Sequence, residues 1–132
     1  MADRSIFLLL AMLFLHIIDD YKLQGILASM KQVRWWRDQK EYKELYQYDY
    51  IPALIEHSFS WAFMIMLPIA IEMKFDIGWW CLMYVLNTVV HAIVDDLKAN
   101  KMKINLVVDQ SIHVAQICIT WLIFVLSRSA AL

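Results

Sequence analysis

Three of the four histidines in this chain stand four residues from an aspartate: His16 with Asp20, His91 with Asp95, and His113 with Asp109. The fourth, His57, lies in an apolar stretch of its own. On a helix, residues four apart point the same way, one turn from each other. Each pair therefore offers an imidazole nitrogen and a carboxylate oxygen on one face. Neutral imidazole with carboxylate suits zinc, and also manganese or iron. His16, Asp20, His57, His91, Asp95, Asp109 and His113 are the expected ligands of a divalent metal, zinc first, if the fold gathers them. They outnumber the four ligands of a closed zinc site. Either two ions are held, or some of the carboxylates serve beside the metal.

Further polar residues extend these faces. Asn87, His91 and Asp95 form one stripe at helical spacing, and Asn105, Asp109 and His113 form another that Gln116 lengthens. Such groups can orient an imidazole through its second ring nitrogen. Asp19, Asp20, Asp95, Asp96 and Asp109 are set against Lys22 and Lys98 as the expected cations nearby. Buried carboxylates in excess of cations must hold protons or bind a cation. Two other readings of the cluster stay open: a hydrogen-bonded network without metal, and a path for protons or ions. Cys81 lies roughly 15 Å along a helix from His91 and is excluded as a ligand. Cys118 is expected on another face from His113, and both thiols are expected to be buried and free. Met64, Met66 and Met73 read as ordinary packing.

The elements that must position these residues are transmembrane helices. Hydrophobic residues make up 61% of the chain, with only 2 Gly and 2 Pro, and the mean hydropathy is +0.52. A hydrocarbon core of roughly 30 Å takes about 20 residues of helix. The expected spans are about 5–21, 51–72, 77–97 and 104–127, making one all-α, integral membrane four-helix bundle. The first apolar stretch is short and follows Arg4, but no small-x-small cleavage pattern comes after it, so it is expected to stay as a span. Successive spans alternate in direction. His16 and His91 fall near the ends of their spans, His57 and His113 near the starts of theirs. All four histidines then lie at one depth, whichever way the protein is inserted. Ionisable groups at such depth are costly and are usually kept for a function.

Charge bias sets the orientation. Lys22, Lys31, Arg34, Arg37, Lys40 and Lys43 fall in the first connection, and Lys98, Lys101 and Lys103 follow the third span. Against these stand Arg4, Lys74 and Arg128. The richer connections are expected in the cytoplasm and both termini outside, in a bacterial inner membrane. Segment 25–48 mixes charges with Trp35, Trp36, Tyr42, Tyr46 and Tyr48, a composition for the headgroup level, and reads as an interfacial helix. Trp79 and Trp80 would mark the opposite interface. Membrane lipids are the expected partners, homo-oligomerisation is open, and no basic excess points to nucleic acid.

The run His16-Ile-Ile-Asp-Asp20-Tyr21-Lys-Leu-Gln24, with Met30-Lys31 after it, resembles the start of an uncharacterised family of small membrane proteins of bacteria and phages. The lone His57 follows in order, then His91-x-x-x-Asp95 with Lys98, then Asp109-Gln110-x-x-His113. The likeness covers nearly the whole chain. It departs in the doubled Asp19-Asp20 and Asp95-Asp96, which leaves open which carboxylate of each pair faces inward. The family is remotely similar to predicted membrane-bound metal-dependent hydrolases. That likeness implies a metal-dependent hydrolase acting on a lipid or lipid-linked ester, phosphoester or amide, with Asp19 or Asp96 as base. Ser58 and Ser60 beside His57 carry no nucleophile-elbow pattern. The alternatives are a proton or metal-ion transport or binding protein, and a non-catalytic membrane factor whose metal staples the bundle.

Overall fold

The computed structural model describes residues 2–39, 44–73 and 77–130. Lys40, Tyr42, Lys43 and Lys74, which entered the charge and interface expectations, lie outside the described residues, as does the C-terminal Leu132. All regular structure among the described residues is helical. Helix α1 (Ala2–Ile18) runs directly into a π-helical turn (Asp19–Leu23). Two short helices follow, α2 (Leu27–Met30) and α3 (Val33–Arg37). Then come three long ones: α4 (Tyr50–Glu72), α5 (Ile77–Ala99) and α6 (Leu106–Ala130). These three are long and apolar enough to cross a membrane. Helix α1 has 17 residues, and the π turn prolongs it.

Helix α4 is the spine. Its buried positions run from Ala53 to Ala70, and both α1 and α5 pack along it. Helix α6 lies against α1 and α5. The apolar core is Met12 of α1, Trp61, Ala62, Ile65, Met66 and Ile69 of α4, Met83 of α5, and Ile117 and Phe124 of α6. Outward-facing apolar side chains are as large as the inward ones. Phe7 and Phe14 on α1, Val85 and Val89 on α5, and Ile119 and Leu122 on α6 are all exposed. An apolar surface of that extent has no stable place in water and fits hydrocarbon. Cys81 lies on this outer surface, so the expectation of a buried thiol fails there; Cys118 is partly buried, and neither is in a disulfide.

The first connection is not one long helix. Gly25 breaks it at φ +49°, a left-handed conformation that glycine adopts without the Cβ penalty. A second break lies at Gln32, which is extended (φ −102°, ψ 124°). Asn100, at the end of α5, causes the second break to persist. Its side-chain oxygen accepts the Val33 N–H at 2.8 Å, and its amide donates to the Lys31 carbonyl at 3.1 Å. These backbone groups are the ones that a continuous helix would have used. The same amide donates to Asp96 at 2.9 Å, so one residue ties the connection to α5. Beyond it, Trp36 donates to the Met30 carbonyl and packs on Tyr46.

Between α5 and α6, Met102 takes a left-handed conformation (φ +51°). Asn105 then caps α6, its side-chain oxygen accepting the Val108 N–H at 2.9 Å. It starts the helix and, itself exposed, does not extend the Asp109–His113 face.

Candidate metal centre

Asp95 is the hub of the polar end. It is 2% exposed, and imidazole nitrogens from three helices surround its carboxylate. His57 Nε2 of α4 lies 3.2 Å from Oδ2, and His91 Nε2, one turn back on α5, lies 3.8 Å from the same oxygen. His113 Nε2 of α6 lies 3.4 Å from Oδ1. The Nε2 atoms of His57 and His91 are 3.1 Å apart. Asp20, delivered by the π turn, places Oδ1 at 3.4 Å from His57 Nε2. Two buried groups result that could each hold a metal ion: Asp20, His57 and His91, and His91, Asp95 and His113.

The π turn explains how α1 contributes. Its wider winding, closed by Gln24 N–H to the Asp19 carbonyl at 3.1 Å, turns two successive carboxylates inward; Asp19 is 1% exposed and Asp20 7%. Such turns recur at functional sites. The turn also parts the first His–Asp pair. Asp20 goes to His57 and to the Gln110 amide at 2.8 Å, whereas His16 accepts the Trp61 indole N–H on Nδ1 at 2.8 Å. An imidazole that accepts on Nδ1 carries its proton on Nε2 when neutral. His16 thus packs at the edge of the cluster, ring to ring with Trp61 and His113.

The remaining expected residues take distinct places. Asp109 is fully buried, with Oδ1 at 3.4 Å from His113 Nε2 and Oδ2 held by Lys98 at 2.7 Å. Asp19 accepts from Ser60 of α4 at 2.6 Å, and its second oxygen is buried without a hydrogen bond. Asp96 points away from the histidines, paired with Lys101 at 2.8 Å and Asn100. The hydrogen bond to Asp96 raises the Lys101 pKa above its ordinary value. Of the two cations expected beside the carboxylates, Lys98 is there and Lys22 is exposed.

Two residues of the site escaped the sequence reading. Lys31, 8% exposed, places Nζ at 2.5 Å from Asp95 Oδ2. In sequence it is one of six cations in a charged connection and part of the Met30-Lys31 run of the resemblance, but neither places it beside Asp95; the clamp by Asn100 does. Trp61 has no exposed surface; its ring stacks on His91 at 4.1 Å between centroids, and it closes the cluster off from the apolar core. At a helical position among apolar neighbours, nothing distinguishes it from an ordinary core aromatic. Asn87 and Gln116 bond each other and not an imidazole: Gln116 donates to the Asn87 side chain at 2.8 Å, Thr120 joins them, and the Nδ1 atoms of His57, His91 and His113 are buried without a hydrogen bond.

The donors fit a divalent ion on two counts. Zinc–nitrogen bonds of about 2.0–2.1 Å put the ligands of a tetrahedron about 3.3 Å apart; the His57–His91 nitrogens are 3.1 Å apart, and the ligand atoms of each group all lie within 4.8 Å of one another, close to that spacing. In addition, His113 has no hydrogen bond on either ring nitrogen although it is completely buried. A buried unpaired polar group costs about 1–3 kcal/mol, and coordination through Nε2 would relieve one of the two. A cavity of about 340 Å³ reaches the cluster from outside, with Asp20 and Asp95 on its floor. Comparison with protein-family models, with curated proteins and with solved structures finds no match.

Proposed function

We propose that the chain is a four-helix integral membrane protein that binds a divalent metal, zinc in first place, and hydrolyses a lipid or lipid-linked substrate at headgroup level. The observation that carries this reading is Asp95, buried and ringed by the Nε2 atoms of His57, His91 and His113 from three helices. The charge bias of the connections supports a bacterial inner membrane with the site toward the cytoplasmic leaflet. The aromatic residues of the first connection support its lying at the interface. The likeness to small bacterial and phage membrane proteins, and through them to predicted metal-dependent hydrolases, supports the reaction type.

A divalent ion in this cluster would bring the pKa of a water molecule toward neutrality and polarise the scissile bond. The chain's own residues do the rest. Asp95 and the three histidines hold the ion, and Trp61 keeps the apolar core from yielding around them. Asp19, with a free buried oxygen and its other oxygen fixed by Ser60, suits a base better than Asp96, which Lys101 and Asn100 already engage. Protein purified without chelator and supplied with zinc should hold at least one ion per chain by elemental analysis. His91→Ala should lose most of it, and Asp19→Asn should keep it while losing turnover. Wild-type protein that takes up no metal would sink the proposal.

A further inference from the structure

The cavity beside the cluster has a wall that metal binding alone does not explain. Lys31, Arg34 and Lys98 all line it, together with the Gln110 amide. Its volume of about 340 Å³ is at the small end of ligand pockets; it holds a headgroup and not an acyl chain. Lys31 and Lys98 are each paired with a carboxylate of the cluster, Asp95 and Asp109. With Asp20, three carboxylates face these two ammonium groups, a net negative balance that repels anions. A divalent ion on Asp95 reverses the sign and competes with Lys31 for Oδ2. The ammonium groups, with Arg34 at the rim, then face the cavity in excess.

We propose that this cavity receives a phosphoester anion, its phosphoryl oxygens held by Lys31, Lys98 and Arg34 over the metal-bearing floor. The proposal rests on the metal reading above and narrows its substrate class. Neutral carboxylic esters and amides give three cations nothing to bind, whereas charged oxygens of a phosphoryl group take charge-assisted hydrogen bonds from lysine and arginine. Hydrolysis there needs only water: one P–O bond forms from the water oxygen, the P–O bond to the alcohol breaks, and the alcohol leaves with the water's proton. Asn100 is the positioning residue, because it fixes the backbone on both sides of Gln32 and so aims Lys31.

The test is equilibrium binding of radiolabelled inorganic phosphate to the full chain in detergent, with zinc content measured in every sample. Zinc-loaded protein should bind phosphate, and chelator-treated protein should not. Lys31→Gln and Lys98→Gln should each weaken binding by about tenfold or more, the loss of one charge-assisted hydrogen bond, with zinc retained. Lys31→Arg should keep it, which separates charge from folding, and Lys103→Gln outside the cavity should change nothing. Displacement by short-chain phosphatidic acid assigns the phosphate to a lipid headgroup; displacement by glycerol phosphate alone assigns it to a soluble ester. Zinc-loaded protein that binds no phosphate, or binding unchanged in both glutamine variants, overturns this proposal and leaves the metal reading standing. Protein that takes up no zinc overturns both.

Discussion

The two ends of this molecule are held together by different physics. At one end Met12, Ile65, Met66, Ile69 and Phe124 interdigitate, and the described rim beyond them carries the ion pairs of Arg4 and Arg128 with Glu72. At the other, the same helices meet through histidine, aspartate and lysine with almost no exposed surface. In lipid, apolar packing gains little from leaving the surroundings, since acyl chains are as apolar as leucine. It tolerates changes of shape. Buried charge tolerates very little, because a group that loses its partner is left uncompensated. The apolar end therefore supplies contact, and the polar end decides which residues must meet.

Breaking the polar end should show this most strongly. Asp95→Ala removes the hub that four cationic or imidazole groups share, and should cost about 3–5 kcal/mol, the range for one partner lost from a buried pair. A lowered melting temperature in detergent, together with loss of bound metal, would register it. Chelator should lower the melting temperature of wild type and have no further effect on this variant. A chelator effect of equal size in both would mean that the ion sits elsewhere.

A smaller change sharpens the comparison. Asn100→Ala removes three hydrogen bonds that tie the first connection to α5. At about 1 kcal/mol for each net bond, the loss should exceed that of a surface residue and stay below that of Asp95. Zinc content should hold, while Lys31 becomes accessible to amine-reactive reagents. Protection of Lys31 equal to wild type would argue that the Asp95 pair alone keeps it in place. Least of all should follow from Glu72→Gln at the far rim. Its partners are exposed on the cation side, Arg4 at 80% and Arg128 at 54%, and exposed pairs contribute about 0–1 kcal/mol. Melting within that range and unchanged zinc would match; a large fall would show that the apolar end depends on its rim.

Much of the polar end was legible because helical spacing and alternating spans are simple geometry. His57, His91, Asp95 and His113 converge for the reason the spacing gave, and the pairs on α5 and α6 remain faces of one helix. The first pair does not, because the π turn at Asp19 shifts the angle of everything after it, and no residue pattern announces a wider turn. Asn105 matched its stripe by spacing yet caps a helix, since a helix start overrides a periodicity that runs through it. Lys31 was hidden for a different reason. Its role depends on a residue 64 positions away, and on a break in the connection that only tertiary hydrogen bonds create. The three long apolar helices were plain from hydropathy, whereas the two short helices of the connection were read as one.

The lateness of α6 in the chain sets an order of events during synthesis. Asp20, Lys31, His57, His91 and Asp95 are all made before His113 and Asp109. Until α6 arrives, Lys98 has no Asp109 to neutralise, and the cluster is open on the side that α6 covers. Premature ion capture would meet an incomplete shell, and dissociation would be fast. If the cluster holds an ion as proposed, arrival of the last helix is the step that closes its shell, and ribosomes stalled before Asp109 should yield chains that exchange the metal freely.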